Sequence, residues 1–165
     1  FYADLVTRVR ERGIRVAVDS SGAPMPLAVA ARPNLIKPNH EELAELVGHD
    51  LPTLGDVRAA ARDLVADGIE VVAVSLGSDG ALLVTVDEAV HAGAAITAPL
   101  STVGAGDCML AGLLHGLSTG MRPADALATV ARAGFIGDQP DYRCVEAVAD
   151  AELLAEREGD VDPGG

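Results

Sequence analysis

The segment Ser101-Thr102-Val103-Gly104-Ala105-Gly106-Asp107 feeds small residues directly into a strongly apolar stretch, and that junction has the chemistry of an anion site. Glycines let backbone amides converge without a Cβ in the way, and a helix start adds unpaired N–H groups and the positive end of a dipole. A phosphoryl group suits such a cradle. Asp107 falls in the first turn, where two roles compete. A carboxylate there ordinarily caps the helix or meets its dipole. Alternatively it takes a proton from an attacking hydroxyl while the loop amides stabilise charge on the group being transferred.

Two other segments carry polar residues at the ends of apolar runs. Lys37-Pro38-Asn39-His40-Glu41-Glu42 follows the pair Leu35-Ile36. Lys37 reads either as a solvated strand-end charge or as a cation for phosphate, and Glu41 and Glu42 read as acids in a helix's first turn. Ser75-Leu76-Gly77-Ser78-Asp79-Gly80 follows a second apolar run and, taken alone, is more readily a hairpin turn than a ligand loop. Cys108 sits where a helix N-terminus could activate a thiol, but no His and Asn constellation accompanies it. His40, His49, His91 and His115 lack metal-ligand spacing.

The elements that must position these residues alternate between strand and helix. An amphipathic helix opens the chain, with Tyr2, Leu5, Val6 and Val9 on one face and Gly13 as its stop. No start signal precedes it, so upstream sequence is expected to be absent. Ile14–Val18 reads as a strand ending at Asp19-Ser20-Ser21-Gly22, residues 25–31 as a helix ended by Pro33, and Leu35-Ile36 as a buried strand. Helices are expected over His40–Val47, stopped by Gly48, and from Thr53-x-x-Asp56, a capping signal, to Gly68. Glu70–Leu76 reads as a buried strand, and Ala81–Val86 and Ala89–Ile96 as strands turned by Asp87-Glu88. Helices follow over Ala105–Leu117, with Met109, Leu110, Leu113, Leu114 and Leu117 as the apolar face, from Pro123 to about Gly134, and over Val145–Arg157. Residues 158–165 read as a flexible tail. The fold class is α/β, a mostly parallel sheet with antiparallel strands at its end. In such a sheet ligands gather at the strands' C-terminal ends, where Asn39, the 75–80 turn and Asp19 all fall.

Composition narrows the partners. With 165 residues, 49% hydrophobic and only 2% aromatic, the chain is long enough for one core built from aliphatic side chains. A formal charge of −13 repels nucleic acid and anionic membranes, so neither is expected as a partner. Cys108 and Cys144 make no disulfide framework, and no apolar run approaches a membrane span, so a reduced cytoplasmic setting is expected.

Ser-Thr-Val-Gly-Ala-Gly-Asp at 101–107 resembles the second signature of the PfkB carbohydrate kinases, and Lys37-Pro38-Asn39 with Asn39-x-x-Glu42 resembles a further motif of that family, in order. The 75–80 turn is similar to its nucleotide-binding turn. The resemblance runs from the first helix to about Leu127 and lies closest to the phosphosugar branch. It implies a ribokinase-like three-layer α/β/α sandwich of which residues 1–157 are the C-terminal part, the sugar-binding and lid region lying upstream. It implies ATP and Mg²⁺, with Asp107 as catalytic base, Gly104, Ala105 and Gly106 as the anion hole, and Lys37, Asn39, Ser75, Leu76, Gly77, Ser78, Asp79 and Gly80 contacting the nucleotide. Glu42 would meet the metal through water. The implied reaction is phosphorylation of fructose 1-phosphate, with tagatose 6-phosphate and fructose 6-phosphate as rival substrates. A noncatalytic nucleotide-binding remnant is the alternative for this chain by itself, and a homodimer of the complete enzyme is left open. Two departures stand out. Ser101 replaces an Asp that contributes to a monovalent-cation site in ribokinase-like members, and the family pattern is lost from Thr129 to about Cys144.

Overall fold

The computed structural model describes residues 1–93 and 104–132. The expected helix at 145–157, the tail at 158–165, residues 94–96 of the last expected strand and Ser101, Thr102 and Val103 lie outside them. In chain order the elements are α1 (Tyr2–Arg10), β1 (Ala17–Val18), α2 (Pro24–Ala30), β2 (Leu35–Ile36), α3 (His40–Val47), α4 (Leu54–Ala66), β3 (Val71–Ser75), β4 (Ala81–Val84), β5 (Ala89–Ala92), α5 (Ala105–Ser118) and α6 (Pro123–Arg132).

The five strands lie in sequence order in one sheet. β1, β2 and β3 pair in parallel, whereas β4 is antiparallel to both β3 and β5. Stepping always the same way across the sheet with right-handed crossovers puts the connecting helices on one face. Met25 of α2, Leu43 of α3 and Val57, Ala61 and Leu64 of α4 accordingly share a core with Ile36, Val72, Val74, Leu82 and Val84. The intervening strand residues Leu35, Val71, Ala73, Ala81 and Leu83 pack on Met109 and Leu113 of α5 and Ala126, Leu127 and Val130 of α6. That two-residue alternation between apolar layers makes the molecule three layers deep.

Local chemistry sets most boundaries. Thr53 and Asp56 form the expected capping box, with Asp56 N–H donating to Thr53 Oγ1 at 3.2 Å and Thr53 N–H donating to Asp56 Oδ2 at 3.0 Å. In α4, Val57, Ala60, Ala61 and Leu64 are buried, the spacing of one helical face. At the N-terminal end of the parallel strands, buried Asn34 accepts from Val16 N–H at 2.8 Å and donates to Glu70, which pairs with Arg15. One polar side chain thus ties three strands at the edge opposite the candidate site.

Several boundaries differ from the sequence reading. The first strand is Ala17–Val18 rather than 14–18, because Ile14 N–H donates back to Val9 O in the end of α1 and Ile14 stays exposed. β4 stops at Val84, where Thr85 Oγ1 accepts from Asp87 and Glu88 N–H and bends the chain, leaving Val86 exposed. Gly77–Asp79 forms one turn of 3₁₀-helix rather than a simple hairpin loop. On α1 only Val6 is fully buried, and on α5 Leu114 faces outward.

Candidate functional site

The strand alternation decides which polar residues meet. Ala17 and Leu35 face the α5–α6 layer, while Val18 and Ile36 face the other. Continuing the period by one residue brings Asp19 and Lys37 to the α5 side at the C-terminal ends of neighbouring parallel strands. There Lys37 Nζ lies 3.2 Å from Asp19 Oδ2. Lys37 is 5% exposed, so its reading as a solvated strand-end charge is wrong: α5, distant in sequence, closes over it. A Cβ placed on Gly106 would stand 3.1 Å from Lys37 Nζ. The ammonium therefore rests against the first turn of α5.

That first turn is left open. Gly104 occupies the N-cap position at φ 86°, a left-handed conformation that glycine adopts without strain. No side chain caps the helix, and its first intrahelical bond of this kind is Cys108 N–H to Gly104 O at 2.9 Å. The N–H groups of Ala105, Gly106 and Asp107 thus lack an intrahelical acceptor, as the ends of helices require. Asp107 lies in this turn, exposed, and among the described residues its carboxylate makes no hydrogen bond. Of its structural reading, the cap is not seen among the described residues, whereas the place in the first turn keeps Asp107 a partner of the helix dipole. A buried ammonium beside three amides without an intrahelical acceptor, at the positive end of a helix dipole, favours negative charge there. Among the described residues Asp19 and the Asp107 carboxylate itself offset that positive charge, and the donors are of the kind that hold a phosphate.

Asn39 and Glu42 meet each other. Glu42 N–H donates to Asn39 Oδ1 and Asn39 N–H donates to Glu42 Oε2, both at 2.8 Å, a second capping box. The first-turn role of these residues is therefore real, and it commits one carboxylate oxygen of Glu42. An isolated parallel bridge joins Asn39 to Ser75, and Ser75 N–H donates to Pro38 O at 3.1 Å, which carries the β2 end across to the β3 end.

From Ser75 the chain enters the Leu76–Gly80 turn, closed by Leu76 N–H to Gly80 O at 2.8 Å. Gly77, Ser78 and Asp79 are exposed, and the turn is braced from β5 by His91 Nε2, 2.8 Å from Asp79 O. The structure thus joins Lys37 to Gly106 and Asn39 to Ser75 along the C-terminal ends of β1, β2 and β3. The turn is held by β5, with no described contact to Asp107. Asp19 is the residue whose partnership the sequence reading missed. The two-residue period at Ala17 and Leu35 was the signal for it. Among the described residues no cluster of three or more His, Cys, Asp or Glu could hold a metal, and no helix is long and apolar enough to cross a membrane.

Comparison with known proteins places this geometry. The sequence pattern of the pfkB family carbohydrate kinases matches residues 2–136. A 1-phosphofructokinase of Rhodobacter capsulatus is 48% identical over 139 residues, covering 83% of this chain and 44% of that protein. A 1-phosphofructokinase of Haemophilus influenzae is 41% identical over 128 residues, covering 77% of this chain and 41% of its own length. The chain therefore spans less than half the length of these relatives. Phosphofructokinase-2 from Escherichia coli, crystallised with substrates and products, superposes with a TM-score of 0.76 at 35% identity, over 80% of this chain and 44% of that one. Arabidopsis thaliana ribokinase shares the fold, with a TM-score of 0.69 at 23% identity over 80% of this chain and 44% of its own. The five-stranded mixed sheet between helical layers is thus the ribokinase-like fold, and the chain belongs to the pfkB family of carbohydrate kinases.

Proposed function

We propose that the protein containing this chain transfers a phosphoryl group from ATP to a phosphosugar, with fructose 1-phosphate as the substrate, and that this chain carries its nucleotide site and catalytic base. The observation that carries the reading is the buried Lys37 ammonium seated against the uncapped first turn of α5, one residue from Asp107. ATP supplies the phosphoryl group, and Mg²⁺ spreads the negative charge of its phosphates.

In this reading the amides of Ala105, Gly106 and Asp107 and the Lys37 ammonium hold the oxygens of the phosphoryl group as charge develops. Asp107 holds the proton released by the sugar hydroxyl; its freedom from any cap leaves both oxygens for that task. Glu42 uses Oε2 in the helix cap, which would leave Oε1 for the water of a bound Mg²⁺. Asn39 and the Ser75–Gly80 turn line the nucleotide side. The homologues named 1-phosphofructokinase support fructose 1-phosphate over tagatose 6-phosphate and fructose 6-phosphate.

The test is an ADP-release assay of the full-length gene product on all three phosphosugars. Fructose 1-phosphate is expected to give the highest kcat/KM. A preference for either rival would overturn the substrate, and ADP release with none of them would overturn the kinase reading in favour of a noncatalytic nucleotide-binding protein.

A further inference from the structure

We infer that Asp19 and Gly106 are positioning residues for Lys37: they hold its ammonium at the one spot from which it reaches the outer phosphates of a bound nucleotide. The inference rests on the nucleotide site proposed above. Lysine has four rotatable side-chain bonds, and a compact ammonium by itself fixes no direction. Here two constraints fix it. Asp19 Oδ2 holds Nζ at 3.2 Å from the neighbouring strand end. From above, Gly106 presents a bare Cα, and any larger residue would bring a Cβ to 3.1 Å from Nζ and 3.7 Å from Cε. Gly106 lies within α5 and is absent from the glycines with positive φ, so backbone conformation does not demand glycine at this position. The tight neighbour of its would-be Cβ is the end of the lysine beneath it, which a methyl group would displace by a few tenths of an ångström.

Lys37 is 94% buried at its side chain whereas Asp19 leaves 27% of its own exposed. The carboxylate is thus the more accessible of the pair, and it holds the buried ammonium from the neighbouring strand end. A tether and a merely repelling negative charge predict opposite signs. Asp19→Ala removes acceptor and charge together. Asp19→Asn removes the charge but keeps an oxygen for the ammonium.

Affinities for ATP and for AMP, measured by calorimetric titration of the full-length gene product and checked against thermal melts, separate the cases. AMP lacks the outer phosphates and serves as the internal control. Asp19→Ala is expected to weaken ATP binding about tenfold, the scale of one charge-assisted hydrogen bond lost, with AMP binding changed by less than about twofold. Asp19→Asn is expected to retain most of the ATP affinity, and Gly106→Ala to lose it as Asp19→Ala does. In a Lys37→Ala background, Asp19→Ala should have no further effect. Unchanged or tighter ATP binding by Asp19→Ala, or equal losses for ATP and AMP, would overturn the inference while leaving the nucleotide site standing. A wild-type protein that binds ATP no better than AMP would instead overturn the site itself.

Discussion

Replacing Asp107 by Asn in the full-length gene product is expected to lower kcat about a thousandfold, within the usual span for a lost general base, while ATP affinity changes by no more than a few-fold. The split follows from the geometry. In the proposed site Asp107 would give its backbone N–H to the phosphate and its carboxylate to the proton, and the carboxylate has no hydrogen bond among the described residues, so substitution would keep the amide and remove the base. Steady-state kinetics alongside nucleotide titration measures both sides. A fall in ATP affinity as large as the fall in kcat would mean that the carboxylate helps build the cradle, and a near-normal kcat would remove Asp107 from catalysis altogether.

The second large effect is on stability. Gly80 adopts φ 90° and ψ −128°, a combination open essentially to glycine alone, and a Cβ there would stand 2.0 Å from Ala92 O and 2.9 Å from Gly93 Cα. No side chain can swing aside, because both obstacles are backbone. Gly80→Ala must therefore push β5 away from the turn. The expected loss is about 4 kcal/mol, in the range reserved for strain and overpacking in a well-packed region. Gly77 is the control. It too has a positive φ, 60°, but nothing lies within 4 Å of its would-be Cβ, so Gly77→Ala should cost only about 1–2 kcal/mol of left-handed strain. Chemical denaturation of the two variants compares them directly. Equal losses would show that close approach to β5 is not what makes Gly80 glycine.

Much of this arrangement was legible because it is local. The stops and caps of α3 and α4 need only a glycine or a four-residue pattern, and Thr53-x-x-Asp56 forms the box that its spacing announces. The start of α5 at Ala105 after Gly104 was equally readable, since a glycine takes the left-handed N-cap conformation without strain. What escaped depends on contacts between residues far apart in sequence. Lys37 looked as suited to solvent as to phosphate until α5 closed over it. Asp19 drew notice only as a polar residue ending a strand, although alternation from Ala17 places it beside Lys37. Strand lengths were overread for a different reason. Val86 carries strong β propensity, but the Thr85 hydroxyl offers the Asp87 and Glu88 N–H groups a local acceptor that competes with the strand ladder.

The Asn39–Glu42 capping box is compatible with the second duty proposed for Glu42. Asn39 and Glu42 satisfy the start of α3 with one oxygen each, and a carboxylate retains further lone pairs for a hydrated metal. The cap itself holds Glu42 in one orientation, as the proposed metal role would require.

The most direct test of the account is a crystal structure of the chain with a non-hydrolysable ATP analogue and Mg²⁺. The terminal phosphate is predicted to lie within hydrogen-bonding distance of the Ala105, Gly106 and Asp107 amides and of Lys37 Nζ, with the nucleoside toward the Ser75–Gly80 turn. A terminal phosphate bound elsewhere, with the first turn of α5 still open and Lys37 facing Asp19 alone, would contradict it.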